Sequence, residues 1–206
     1  MNEAVYTIGH SSRTVEELIG LLLKHGVTTV ADVRSQPYSR LHSQFNREAF
    51  SFDLSAHGIG YVYLGEELGA RSNDGGCYLN GKVQYSQLAK TPLFRQGVER
   101  IRAGMGKNLR ITLMCAEKEP LACHRSILIS RHLLDGGIPV RHILDESTVE
   151  DHAETMQRLL LLLKMGGGNL FLSEAEVLEE AYAIQGEKIA YDNRAKWEED
   201  KEGMSA

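Results

Sequence analysis

The segment from Leu109 to Leu134 constrains the fold most, because it combines a buried strand, a polar loop and an amphipathic helix. Residues 109–114 are apolar and partly β-branched, which predicts a strand. The loop over 115–122 carries two glutamates, a lysine and a proline, and a helix begins near 123–125. In an open α/β sheet, ligands bind where strands end and helices begin, and a helix N-terminus offers unpaired N–H groups to an anion. The segment therefore predicts a ligand site at this junction.

The rest of the chain alternates between strand and helix patterns. A capping box at Thr14 and Glu17 introduces a helix between the first two strands. Short connections of this kind are typical of βαβ units. We expect an α/β fold, with a single three-layer domain, a mainly parallel sheet of about five strands and a C-terminal helical tail. Apolar runs predict the strands over 5–8, 27–33, 61–64, 109–114 and 139–144.

Charge is distributed unevenly and divides the chain into two parts. Residues 166–206 contain four Lys/Arg and ten Asp/Glu, whereas residues 1–165 contain 19 Lys/Arg and 18 Asp/Glu. Three consecutive glycines at 166–168 are typical of a linker. We predict an α/β domain over 1–165 and an acidic helical extension over 166–206, with a helix from Ser173 and further helical turns over 188–199. Apolar residues in the extension indicate that it packs on the domain, on a second copy or on another partner.

Cysteine usage and hydropathy indicate where the protein works. The chain has three cysteines, and an odd number argues against a disulfide framework. The N-terminal residues enter a strand pattern at once, so we expect no signal segment. The longest apolar run, over 159–163, is far too short to span a bilayer. These features predict a reduced, cytoplasmic protein that does not bind membranes.

Polar residues follow the apolar strands, and the carboxyl ends of parallel strands share one edge of a sheet. We expect these residues to lie together and to form a site for a phosphate-type anion. They are His10 and Ser11 after the first strand, Asp32 and Arg34 after the second, Glu66 after the third, Cys115 and Glu117 after the fourth, and Cys123, His124 and Arg125 at the helix start.

Cys115 and two histidines are the candidates for catalysis. The position of Cys115, at the end of a buried strand, suits a small hydrophobic residue. A nearby helix N-terminus and arginine can, however, lower the pKa of a cysteine and make it a nucleophile. His10 and His124 are candidate general acids or bases. Acidic residues are usually preferred at a helix start. The presence of an arginine, Arg125, at this position therefore favours contact with a bound anion.

Arginine and aromatic residues are interleaved after the second strand. Arg34 and Arg40 alternate with Tyr38 and Phe45, a composition found at nucleotide and nucleic-acid sites. The same residues also suit a solvated face, so a nucleotide or nucleic-acid site and a solvated face both stay open at this point. For Asp32, orienting Arg34 by a hydrogen bond is as well supported as a catalytic role.

Spacing argues against three familiar sites around Cys115. A phosphatase-type loop needs a closer pair than Cys115 and Arg125, and a rhodanese-type loop would need a shorter connection to the helix. A zinc ion could use Cys115, Cys123 and His124 with His10, but adjacent cysteine and histidine residues are not expected to face one ion, and the chain has no CxxC pair. We therefore expect no metal and no cofactor.

Five ordered motifs resemble the bacterial and archaeal family called domain of unknown function 488. The resemblance implies a compact α/β domain and carries no settled reaction, and the acidic extension lies outside it. It adds Ser39, beside Arg40, to the ligand-binding candidates. The family-type positions are His10, Asp32, Arg34, Ser39, Arg40, Cys115, Glu117, Cys123, His124 and Arg125. The motifs are YTIGHSSRTVEEL from Tyr6, DVRSQPYSR from Asp32, FN from Phe45, YLGEELGAR from Tyr63 and CAEKEPLACHR from Cys115.

Three functions fit these observations. The first is an enzyme, a hydrolase or transferase, that acts on a phosphate-bearing substrate such as a nucleotide or nucleic acid, with His10, Cys115 and His124 as its catalytic residues. The second is a non-catalytic module that binds an anionic small molecule or nucleic acid in the same pocket. The third is an interaction protein whose arginine-rich face binds nucleic acid and whose tail binds a partner.

Overall fold

A six-stranded sheet lies at the centre of this computed structural model, which describes residues 4–167 and 172–193. Its order is β3-β2-β6-β1-β7-β8, with β8 antiparallel to β7 and the other neighbours parallel, and β4 and β5 form a separate hairpin. The predicted α/β class and mainly parallel sheet are confirmed, with an antiparallel sixth strand added at one edge. The strands are β1 (Val5–Gly9), β2 (Thr29–Asp32), β3 (Gly60–Tyr63), β4 (Tyr78–Leu79), β5 (Lys82–Val83), β6 (Ile111–Cys115), β7 (Val140–Ile143) and β8 (Val149–Asp151).

Eight α-helices connect and cover these strands within the described residues. A π-helix, Arg125–Ser130, leads directly into the sixth of them. None of the described helices is long and apolar enough to cross a membrane. The helices are α1 (Val15–Lys24), α2 (Arg47–Ala56), α3 (Gly65–Leu68), α4 (Tyr85–Leu88), α5 (Pro92–Gly106), α6 (Arg131–Asp135), α7 (His152–Leu162) and α8 (Glu174–Ile189).

Two apolar cores lie on opposite faces of the sheet and make the fold three-layered. Successive residues of a strand point to opposite faces, so Leu113 packs in one core and Met114 in the other. The first core is covered by α3, α5 and the helix over 125–135, and the second by α1 and α2. Any residue at the end of a strand is therefore committed to one of the two faces.

The start of α1 follows the predicted capping box. Oγ1 of Thr14 accepts a hydrogen bond from the N–H of Glu17, and the Glu17 carboxylate accepts one from the N–H of Thr14 at 2.8 Å. Gly26 has a φ of 62°, a left-handed conformation that glycine adopts without a Cβ penalty, and it directly follows His25, the C-cap of α1. The capped helix thus sets the connection between β1 and β2.

The described part of the C-terminal extension packs on the domain of the same chain. Ser173 and Glu176 form the predicted capping box, and α8 continues to Ile189. Ala181 packs in a third apolar cluster with loop and helix residues of the domain. Nε2 of Gln185 donates a 2.6 Å hydrogen bond to the carbonyl of Leu121, in the loop after β6. Of the predicted helical stretch over 188–199, only Lys188 and Ile189 are helical, residues 190–193 are not, and residues 194–199 lie outside the described residues.

Candidate functional site

The carboxyl ends of β1, β2 and β6 lie side by side at one edge of the sheet. Gly9 is in register with Cys115, and Asp32 is in register with Met114. The loops after these strands are joined across the edge, since the N–H of His10 donates to the carbonyl of Cys115 at 2.9 Å. This arrangement is the edge at which the sequence predicts a site.

The polar side chains at this edge form two clusters on opposite faces of the sheet. Cys115 and Cys123 belong to the core under α3 and α5. His10 stacks on Phe45, with ring centroids 4.5 Å apart, and Phe45 belongs to the core under α1 and α2. The candidate residues therefore have two different environments.

Cys115, Cys123 and His124, called the thiol cluster below, bring two sulfur atoms and one imidazole nitrogen to one point. Nδ1 of His124 lies 3.7 Å from Sγ of Cys115 and 3.9 Å from Sγ of Cys123. The three potential ligand atoms all lie within 4.8 Å of one another, and the three residues are buried. With Zn–S near 2.3 Å and Zn–N near 2.0 Å, a tetrahedral zinc site separates sulfur and nitrogen ligands by about 3.6 Å. The cluster has the composition and nearly the dimensions of such a site.

The expectation that Cys123 and His124 cannot face one ion is wrong. It treated both residues as part of a regular helix. Cys123 is extended, with φ −134° and ψ 138°, whereas His124 is already helical, with φ −60° and ψ −25°. The change of backbone conformation between them turns both side chains towards Cys115.

The imidazole of His124 is held in one orientation by the end of β2. Its Nε2 lies 3.1 Å from the carbonyl oxygen of Val33. A carbonyl only accepts, so Nε2 carries the proton and Nδ1 faces the two sulfur atoms. A backbone partner on the far ring nitrogen is the usual outer contact of a metal-binding histidine.

Charge is divided unequally between the two thiols. The hydrogen bond to Cys123 and burial raise the pKa of Cys115 well above its ordinary value. Burial opposes ionisation of Cys123 as well, but the hydrogen bond from Cys115 and the charge of Arg125 hold the pKa of Cys123 well below its ordinary value. Burial lowers the pKa of His124, and the hydrogen bond and charge of Cys123 outweigh it, so this pKa is raised. These opposite directions favour Cys123 over Cys115 as the thiol that ionises first, and the role of Cys115 as a nucleophile stays a prediction.

Glu117 connects the thiol cluster to solvent. The residue is exposed, yet its Oε2 lies 3.1 Å from Sγ of Cys115. Burial of the carboxyl group and the nearby Cys123 raise the pKa of Glu117. The loop that carries it runs so close to β1 that a Cβ on Gly9 would lie 1.8 Å from the Glu117 carbonyl oxygen. Only glycine at position 9 allows this path.

Arg125 is buried and bonds to the protein itself. It is 1% exposed, and its Nη1 and Nη2 donate to the carbonyls of Glu117 and Lys118 at 2.7 and 3.0 Å. Its Nε donates to Oγ1 of Thr7 at 3.4 Å. In this conformation Arg125 fixes the loop beside the thiol cluster, and three of its five N–H groups are already engaged.

On the other face, Asp32 and Arg34 form a buried ion pair. Nε and Nη2 of Arg34 donate to the two oxygens of Asp32 at 2.9 and 2.6 Å. Nη2 also donates to the carbonyl of Phe45, and the hydroxyl of Tyr61 donates to Asp32 at 2.6 Å. The pair ties β2 to β3 and to the loop before α2, which is the orienting role that the sequence left open for Asp32.

His10 is neutral in this second cluster. Its Nδ1 lies 2.9 Å from the carbonyl oxygen of Ser11, so Nδ1 carries the proton and Nε2 accepts the 3.3 Å contact from Nη1 of Arg34. Burial lowers the pKa of His10 to about 4. Because Arg34 occupies its lone pair, His10 is a hydrogen-bonding residue of the ion-pair cluster in this conformation.

The remaining candidates lie around the edge. Ser11 has a φ of 51°, and its N–H donates to the carbonyl of Ala116 at 2.9 Å. Ser39 receives a hydrogen bond from the N–H of His42, and Arg40 is exposed in the same loop. Glu66 lines a separate groove of about 670 Å³ on the β3 side. These residues do not touch the thiol cluster.

Two tyrosines that the sequence reasoning missed contribute to these clusters. Tyr61 lies on β3 and completes the coordination of Asp32. Tyr85 lies at the start of α4. Burial and the neighbouring Cys123, Cys115 and Glu117 raise the pKa of Tyr85. A tyrosine near the start of an element was the available signal, but neither Tyr61 nor Tyr85 lies in one of the five motifs.

Comparison with known proteins identifies the family. The model of the family described as "Domain of unknown function DUF488" matches residues 14–132. The chain belongs to this family. The matched residues contain the thiol cluster and the Asp32–Arg34 pair, whereas His10 lies before the first matched residue. No curated protein matches the chain.

A solved structure offers one further similarity. It is the crystal structure, at 1.40 Å, of a candidate phosphatase (DUF442) from Shewanella putrefaciens CN-32. The two proteins are 13% identical, the alignment covers 93% of this chain and 92% of that one, and the TM-score is 0.40. We draw no functional conclusion from a similarity of this size.

Proposed function

We propose that this DUF488 protein is a zinc-dependent hydrolase whose metal ion is bound by Cys115, Cys123 and His124. One observation carries the proposal: two buried sulfur atoms and the free nitrogen of an oriented imidazole lie within 4.8 Å of one another. Three protein ligands with an open fourth position are typical of catalytic zinc, whereas structural zinc is usually closed by four protein ligands.

Glu117 supplies the acid–base group that such a reaction needs. When bound by these three residues, zinc would make a water molecule a better nucleophile. The Glu117 carboxylate, beside Cys115 and open to solvent, would take a proton from the attacking water as the water oxygen bonds to the substrate. As the bond to the leaving group breaks, Glu117 would return the proton to the leaving group. Arg125 keeps Glu117 in place through the backbone carbonyl of the same residue.

A phosphate-bearing substrate, as the sequence predicts, fits this proposal. The arginines support it less than the sequence suggests. Arg125 and Arg34 are buried, and most of their N–H groups have protein acceptors. A nucleotide or nucleic acid stays our prediction for the substrate. Lys118, in the loop after β6, and Arg40, in the loop after β2, are exposed cations. A non-catalytic binding module is the alternative.

Metal content tests the binding step. We expect about one zinc ion per chain, by elemental mass spectrometry, in protein produced with zinc in the medium. The variants Cys115→Ser, Cys123→Ser and His124→Gln should lose it. Cys77→Ala is the matched control, because Cys77 is a buried cysteine that lies outside the cluster. Full metal content in the three ligand variants would refute the site.

Turnover separates the hydrolase from the binding module. Phosphomonoesters, phosphodiesters and nucleotides should be assayed with the zinc-loaded protein, with the protein after chelation, and after zinc is restored. Glu117→Gln should keep the metal and lose about 10²-fold or more in rate. Zinc-loaded protein that turns over none of these substrates would favour the non-catalytic alternative. If Glu117→Gln loses zinc, Glu117 is a fourth ligand and the site is a closed structural one.

A further inference from the structure

A continuous chain of buried hydrogen bonds crosses the domain from Arg125 to the C-terminal helix. Oγ1 of Thr7 lies 2.7 Å from Nδ1 of His142, and Nε2 of His142 lies 2.8 Å from Nδ1 of His152. Nε2 of His152 lies 2.8 Å from the hydroxyl of Tyr182 on α8. The residues of this hydrogen-bond chain are at most 6% exposed. The proposed hydrolase mechanism uses neither His142 nor His152.

The direction of this chain follows from its first member. The Nε of Arg125 can only donate, so Thr7 accepts from it at 3.4 Å. If Thr7 also donates to His142, each histidine donates onward from Nε2, and Tyr182 accepts. In the reverse direction the Thr7 hydroxyl proton, which is fully buried, would have no acceptor among the described residues. A buried donor without a partner is costly, which decides for the first direction.

This direction leaves the hydroxyl proton of Tyr182 to be donated elsewhere. None of the described residues accepts it. Tyr182 lines a cavity of about 420 Å³ between α4, the helix over 125–135 and α8. The residue whose hydroxyl proton lacks an acceptor among the described residues therefore also lines this cavity.

The cavity combines an apolar floor with a charged wall, which contains Lys90 and Arg131 as well as Glu179 and Glu187. Ile127 and Leu128 line it on one side. The guanidinium of Arg131 lies 4.8 Å from the centroid of the Tyr182 ring, and Lys90 stands at the rim. Arg131 also forms a salt bridge with Glu179, through Nη2, and its other N–H groups stay available.

We propose that this cavity binds a small organic anion, whose carboxylate or phosphate accepts the Tyr182 hydroxyl proton and pairs with Arg131. The apolar part of the ligand packs on Ile127 and Leu128. The volume suits a ligand of one ring with one acidic group, and it is within the range of small-molecule pockets. The site lies outside the thiol cluster and does not depend on metal being bound there.

Binding of a charge-matched pair of probes tests this site. Benzoate and benzylamine have similar size and opposite charge, and each should be titrated into the full chain by calorimetry and by NMR, with inorganic phosphate as a third probe. We expect saturable binding of benzoate or phosphate and none of benzylamine. Comparing these two anions shows whether the site prefers a carboxylate with a ring or a phosphate.

Two variants and a control assign the binding to the cavity. Tyr182→Phe keeps the ring and removes the donor, and Arg131→Gln removes the charge, so each should weaken anion binding about tenfold. Arg141→Gln breaks a comparable exposed pair with Asp151 and should change nothing. Equal binding of benzylamine, no saturable binding of either anion, or anion binding that both cavity variants leave unchanged would overturn the proposal.

Discussion

Replacing Arg34 by methionine tests whether the Asp32–Arg34 pair stabilises the sheet edge or is held ready for a ligand. Asp32 is fully buried, and the arginine side chain donates to it at 2.9 and 2.6 Å. Methionine keeps the length but leaves the carboxylate with the N–H of residue 34 and the hydroxyl of Tyr61. Removing one partner of a buried pair costs about 3–5 kcal/mol. For a chain of 206 residues, the melting temperature should fall by roughly 6–20 °C.

Urea unfolding followed by circular dichroism measures this loss in the free energy of unfolding. The double variant Asp32→Leu, Arg34→Met should recover part of it, because no unpaired charge is left. Arg141→Met, which breaks an exposed pair, is the control and should have little effect. Zinc content should not change, since the pair lies on the other face of the sheet. A loss below about 1 kcal/mol for Arg34→Met would refute the reasoning.

Three further changes test other parts of the structure. Burial lowers the pKa of His10 from 6.5 to about 4, so the unfolded chain binds more protons between these pH values and stability should fall as pH drops from 6.5 to 4. The free energy of unfolding of His10→Gln should depend less on pH in this range, and an NMR titration of His10 near 6.5 would contradict the prediction. Gly9→Ala should displace the loop of Glu117 and lower both stability and zinc content, because its Cβ would meet that carbonyl oxygen at 1.8 Å; an unchanged melting temperature would show that the loop adapts freely. Gln185→Ala removes a 2.6 Å hydrogen bond to Leu121 and should increase hydrogen exchange in the loop after β6, whereas unchanged exchange would mean that α8 does not hold it.

The sequence predicts the parallel sheet and the edge at which polar side chains gather because apolar runs, capping boxes and glycines are local signals. It does not predict which face each polar side chain occupies. A shift of one residue at a strand end moves a side chain to the opposite face. Cys115 and His10, each at the end of a strand, therefore belong to different cores. Their separation depends on the register between strands, which no single motif encodes.

The geometry of the thiol cluster could not be read from spacing for a similar reason. Whether Cys123 and His124 face one point depends on where the extended loop becomes helical, and this boundary lies between them. The sequence places a helix start nearby, but boundaries are less sharply encoded than elements. The His142–His152 contact depends in turn on pairing between β7 and β8, which the sequence analysis did not predict.

X-ray absorption at the zinc edge of the metal-loaded protein tests the central claim most directly. The account predicts two sulfur neighbours near about 2.3 Å and two lighter neighbours near about 2.0 Å, from Cys115, Cys123, His124 and a water molecule. In Cys115→Ser one sulfur neighbour should disappear, and in Cys77→Ala the spectrum should be unchanged. A first shell of oxygen and nitrogen alone, or a protein that binds no zinc with both thiols reduced, would contradict the account.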